Sequence, residues 1–151
     1  MDRAECTKVI ADAKRKSGLG YEEIASKIGM HPVWTAAALM GQASMAADQA
    51  TAVVDLLDVE DGMRHEVATL LAEPSTKGAV GQVVPVDPLI YRFYEITQVY
   101  GPAIKAIIHE KFGDGIMSAI DFEIDIDRIP DPKGDRVKVT LNGKFLPYKT
   151  W

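Results

Sequence analysis

Residues 91–122 read YRFYEITQVYGPAIKAIIHEKFGDGIMSAIDF, and the C-terminal half of the chain is built around them. Apolar side chains recur at helical spacing over residues 89–100 and again over residues 103–112, with Gly101-Pro102 between, which predicts two helices. Gly113-Asp114-Gly115 closes the second. Residues 118–126 then alternate, with Ile120, Phe122, Ile124 and Ile126 on one side and Asp121, Glu123, Asp125 and Asp127 on the other. That period of two predicts a strand with one buried face. Asp131-Pro132-Lys133-Gly134 reads as a turn, residues 137–141 as a second strand, and Asn142-Gly143 as a type I′ hairpin signal into residues 144–146.

Working outward, the N-terminal half is helical. Val9, Ile10 and Ala13 share a face of a helix stopping near Ser17-Gly18. Residues 21–28 form a second helix, with Ile24, Ala25 and Ile28 inward and Gly29 as its stop. Pro32 suits the first turn of a third, residues 31–40, closed by Gly41. Residues 46–57 and 62–71 complete a five-helix bundle. Between the halves, Pro74, Gly78, Gly81, Pro85 and Pro88 break every period. The reading is therefore α+β, with a helical domain over 1–73, a connector over 74–87 and a mixed domain over 88–151. The mixed domain is too small to bury a sufficient core alone, and its sheet leaves open edges. We expect it to recruit a copy of itself as an intertwined dimer within a homo-oligomer.

The 151 residues carry 47% hydrophobic and 26% charged side chains, the balance of a globular protein. No apolar run approaches the ~20 residues that span a bilayer. The first residues, MDRAECTKVIADAKRK, lack the apolar core of a secretory signal. Cys6 is the single cysteine, so an internal disulfide is excluded; it reads as a buried apolar residue of the first helix. These features predict a cytoplasmic protein. The charge is uneven. Residues 1–73 hold 7 Lys+Arg against 12 Asp+Glu, the whole net charge of −5, while residues 74–151 hold 10 of each.

That asymmetry bears on residues 20–42, which have a helix-turn-helix layout with Ala25 mid-helix and Gly29 at the turn. A DNA reader needs Lys and Arg for phosphate contacts. Residues 31–40 contain neither, so packing is the favoured role and no nucleic-acid partner is expected. A transcriptional regulator with a small-anion-sensing C-terminal domain is the alternative.

Candidate chemistry lies in the opening stretch. Arg92 and Glu95 stand three apart on a helix, a commonplace surface pair worth ~0.2–0.5 kcal/mol. Tyr91, Phe93 and Tyr94 crowd them, however, and suggest that both helix faces are covered. A charged pair in such a setting calls for a partner or a use. Ser118 follows two glycines that permit close backbone approach, as in loops that offer N–H groups to anions. His109 is a possible proton carrier, although an imidazole at a helix end is the simpler role. The three histidines show no metal-binding spacing.

The segments YRFYE (91–95), QVYG (98–101), HEKFGDGI (109–116), SAI-F (118–122) and NGKFLP (142–147) together resemble the cyanase family, also called cyanate hydratases or cyanate lyases. The likeness is dense over residues 85–151 and looser before it, in helix count and helix-turn-helix layout. It implies bicarbonate-dependent decomposition of cyanate to ammonia and carbon dioxide through carbamate, for cyanate detoxification and nitrogen metabolism. It also implies catalytic roles for Arg92, Glu95 and Ser118, no metal or organic cofactor with bicarbonate as co-substrate, and a homodecamer of five dimers with sites shared between subunits.

Overall fold

The computed structural model describes residues 1–75 and 83–151. The chain divides into two compact units, Met1–Ala79 and Val80–Trp151. Much of the expected connector, 74–87, lies outside the described residues.

The first unit holds five helices: α1 (Arg3–Ser17), α2 (Tyr21–Ile28), α3 (Pro32–Leu39), α4 (Ala47–Leu56) and α5 (Asp61–Ala72). Local chemistry sets their limits. Asp2 Oδ1 accepts from Glu5 N–H at 2.8 Å while Glu5 Oε2 accepts from Asp2 N–H at 2.8 Å, a reciprocal cap that starts α1. Gly18 (φ 71) and Gly29 (φ 68) end α1 and α2 in the left-handed region, where a side chain would be strained. His31 Nδ1 accepts from Val33 N–H at 3.2 Å and Pro32 opens α3. The expected ends thus shift by one or two residues at most.

Cys6, Ile10, Ile24, Ala38, Val53, Val54, Val67 and Leu71 form the core, as the helical spacing requires. Every buried hydrophobic residue among those described belongs to this unit. Arg64 ties the α4–α5 turn, contacting Asp55 at 3.2 Å, Asp58 at 2.7 Å and Asp61 at 3.0 Å, and donating from Nε to the Val59 carbonyl at 2.6 Å.

The second unit holds one helix, α6 (Pro88–Phe112), and a hairpin of β1 (Gly115–Ile129) and β2 (Arg136–Pro147). Two expectations are corrected here. Residues 89–100 and 103–112 form one continuous 25-residue helix, with Pro102 inside it. A proline forfeits one backbone hydrogen bond, but the preceding Gly101 has no Cβ to clash with the proline ring, so the turns can continue through it. The second correction concerns Asn142-Gly143, which lies within β2 opposite Glu123 and Phe122 rather than in a turn. The chain reverses only at the other expected turn, at Asp131, whose Oδ1 accepts from Lys133 N–H at 2.8 Å and whose carbonyl accepts from Gly134 N–H at 2.9 Å. This reversal lets β2 pair along nearly all of β1, including Asp127 with Lys138 at 3.0 Å. A fold at Asn142-Gly143 would leave Gly115–Met117 unpaired.

A third correction follows. The apolar side of β1 is only partly covered by the described residues: Phe122 and Ile124 are half-buried, but Ile120 is 99% exposed, and only Gly115 and Ser118 are buried among the described residues of this unit. On α6 no residue is buried, and Leu89, Ile90, Phe93, Val99, Ile104 and Ile107 all face outward. Among the described residues, no helix is long and apolar enough to cross a membrane.

Candidate active site

The start of α6 places the first two candidates. Asp87 Oδ1 accepts from the N–H groups of Leu89 and Ile90 at 2.9 and 3.0 Å, and Pro88 occupies the first turn. Arg92 and Glu95 follow one turn apart, and Arg92 Nη1 donates to Glu95 Oε2. Their side chains are 65% and 39% exposed, so the covering that the neighbouring aromatics suggest is absent from the single chain. Tyr91 and Tyr94 lie beside the pair with ring centroids 6.0 Å apart.

Ser118 is placed by an irregularity in the hairpin. Met117 pairs with Phe145 and Phe122 with Gly143, so residues 118–121 of β1 stand opposite Lys144 alone. The strand bulges, and Ser118 holds the bulge: its Oγ accepts from Ile120 N–H at 3.0 Å and from Asp121 N–H at 2.9 Å. Ser118 therefore sits inside β1 rather than at its head, and is 5% exposed. With two N–H groups directed at its oxygen, the hydroxyl proton is what remains to be offered. No acceptor for it is found among the described residues. The group is poised as a hydrogen-bond donor.

The glycines before Ser118 serve the helix end and the hairpin. Gly113 (φ 90) terminates α6 and its N–H donates to the His109 carbonyl at 2.9 Å, so that N–H is not available to an anion. At Gly115 a side chain would lie 2.5 Å from the Phe145 ring, whose partner in a stacked pair is Phe112 at 5.2 Å. His109 Nε2 lies 3.3 Å from the Gly115 carbonyl, which gives the imidazole a joining role between α6 and β1.

These contacts join helix and hairpin at the C-terminal end of α6, whereas Arg92 lies near its N-terminal end. Twenty helical residues separate Arg92 from Phe112, ~30 Å at 1.5 Å per residue. Arg92 and Glu95 are brought together; Ser118 shares no hydrogen bond with either. One chain thus presents a guanidinium–carboxylate pair at one place and a donor hydroxyl at another. Among the described residues no cluster of three or more His, Cys, Asp or Glu side chains could hold a metal ion.

A helical domain joined to a long helix and a bulged hairpin, with an exposed Arg/Glu pair and a buried serine donor, defines an α+β protein of two compact units. Family comparison narrows the class. Residues 3–72 match the family described as cyanate hydratase, N-terminal, and residues 82–150 match the cyanate lyase C-terminal domain. The chain is 51% identical to the cyanate hydratase of Acaryochloris marina over 98% of both proteins. It is 52% identical to that of Thiobacillus denitrificans over the full length of both. Its fold is similar to the crystal structure of cyanase from T. urticae, with a TM-score of 0.81 and 39% identity over 94% of this chain and 96% of the other. The chain belongs to the cyanate hydratase family. The regulator alternative gains no support from these comparisons.

Proposed function

We propose that this protein is a cyanate hydratase that consumes cyanate and bicarbonate and releases ammonia and carbon dioxide. The likeness to cyanate hydratases, about half of all positions over both units, carries the reading. A bicarbonate oxygen attacks the cyanate carbon, and the bicarbonate proton passes to nitrogen, giving a dianionic adduct. The bond between the bicarbonate carbon and the bridging oxygen then breaks to expel carbon dioxide, the bridging oxygen stays on the former cyanate carbon, and with one proton taken up the remainder is carbamate. Carbamate takes a second proton and separates into ammonia and carbon dioxide.

The barrier is electrostatic, because two anions must merge. Preorganised positive charge and donors in a water-poor site lower it, and holding the two reactants in line contributes further. Arg92 supplies the charge as a planar fork suited to carboxylate-like oxygens. Glu95 orients Arg92 through their ion pair. Ser118 donates its hydroxyl proton to substrate oxygen or nitrogen. A single guanidinium does not balance a dianion, whereas two copies of Arg92 from neighbouring subunits do. The uncovered apolar faces of α6 and the hairpin support such a neighbour: a second copy would cover them and exclude water from the charged pair. A decamer of five intertwined dimers with shared sites, acting in the cytoplasm without a metal or organic cofactor, completes the reading. The net charge of −5 in residues 1–73 favours no nucleic-acid role for the helix-turn-helix layout.

The test is ammonia release from cyanate by the purified protein, in bicarbonate-depleted and bicarbonate-supplied buffer, with assembly followed by sedimentation. Release only when bicarbonate is present, by an assembled species, is expected. Equal release without bicarbonate, or full activity in a monomer, would refute the scheme.

A further inference from the structure

Gly143, paired with Phe122 at the edge of the bulge, lies against the Ser118 carbonyl, and its role is not that of a turn. Its backbone lies outside the left-handed region, so the position demands space rather than an unusual φ. A Cβ placed there would fall on the Ser118 carbonyl oxygen, well inside van der Waals contact, and 2.6 Å from Met117 Cγ. The obstacle is backbone, which has no rotamer to turn aside. On either side the hairpin is in fixed register: Met117 faces Phe145 before the bulge, and Phe122 faces Gly143 after it. Only residues 118–121 have slack, so an added side chain would displace the bulge. The bulge is what aims the Ser118 hydroxyl, through the Ile120 and Asp121 N–H groups that its Oγ accepts.

We propose that Gly143 is a positioning residue for Ser118: the bare backbone of β2 admits the Ser118 carbonyl and thereby fixes the direction in which the hydroxyl donates. The proposal rests on the reading of Ser118 as the donor to substrate. A glycine needed only for stability would look the same in a melting curve, so the test is a double-mutant cycle on activity. Ammonia release is measured with the full-length assembled protein for Gly143→Ala, Ser118→Ala and the double variant.

Gly143→Ala is expected to lower kcat/KM by about tenfold or more, and adding it to Ser118→Ala is expected to change activity by less than about twofold. Faster hydrogen exchange over residues 116–123 in Gly143→Ala accompanies this outcome. Losses that multiply in the double variant, or a Gly143→Ala enzyme within about twofold of wild type, overturn the proposal. A fully active Ser118→Ala overturns it differently, by removing the serine reading beneath it. Should Gly143→Ala not assemble, Met117→Ala/Gly143→Ala, which leaves only the carbonyl overlap, carries the same cycle with Met117→Ala as its reference.

Discussion

Arg92 and Glu95 form an ion pair across one turn of α6, yet 65% of the arginine side chain is open to solvent in the single chain. An exposed pair of this kind contributes ~0–1 kcal/mol to stability. Its value is in aim: a guanidinium held by one N–H retains the others for a ligand. Arg92→Lys should therefore lower kcat/KM by ~100-fold or more while changing stability by less than ~1 kcal/mol. Ammonia assays beside denaturant titrations check both, and a fully active lysine variant would remove Arg92 from the site.

Glu95 acts through Arg92 in the same reading. Glu95→Gln keeps an acceptor for the Arg92 N–H, whereas Glu95→Ala keeps none. The glutamine variant should retain ~10-fold more kcat/KM than the alanine variant. Equal losses would point to a proton-transfer role for the carboxylate.

The two units should answer core substitutions differently. Ile24 is fully buried in the first, and Ile24→Ala should destabilise it by ~2–5 kcal/mol in chemical denaturation. Ile126 is 55% exposed on the hairpin, where Ile126→Asp should leave the helical unit unchanged and shift sedimentation toward smaller species.

Cys6 is buried in that same helical core, and its Sγ lies 3.9 Å from the Val67 carbonyl. Burial pushes the thiol pKa above its ordinary value of 9.0; the Glu66 charge adds to the rise and Arg3 opposes it. The native protein should leave Cys6 unmodified by a thiol reagent near neutral pH and react fully once unfolded. The sign for stability follows from the raised folded value. The unfolded thiol ionises first, so this stability is intact below 9.0 and declines as pH rises through the folded value. Cys6→Ala should flatten that alkaline decline.

Arg64 offers a last test, since it meets three carboxylates and one carbonyl at the α4–α5 turn. Arg64→Ala leaves Asp55, Asp58 and Asp61 to repel one another. A loss of about 1–3 kcal/mol is expected in urea titration, smaller at high salt. No loss at low salt would show the cluster to be solvated independently of the arginine.

The family likeness lies in motifs that are short and contiguous, which is why Arg92, Glu95 and Ser118 could be picked out as candidates from the chain alone. Their setting was less legible. The aromatics beside Arg92 suggest a covered helix, but side-chain type does not reveal which molecule provides the cover. Gly143 was masked by Asn142, because the pair is a strong turn signal when seen without its opposite strand.

By itself the sequence determined the five helices of the first unit, their glycine and proline limits, the inward faces and the order of the candidate residues. Each of these depends on groups within about one helical turn of one another, so spacing and capping suffice. Only the tertiary structure decided that α6 runs through Pro102, that β2 continues through Asn142-Gly143, and that Gly143 lies against the Ser118 carbonyl. These depend on which distant strand segments pair and on what a bulge displaces, and neighbouring residues do not encode that contest.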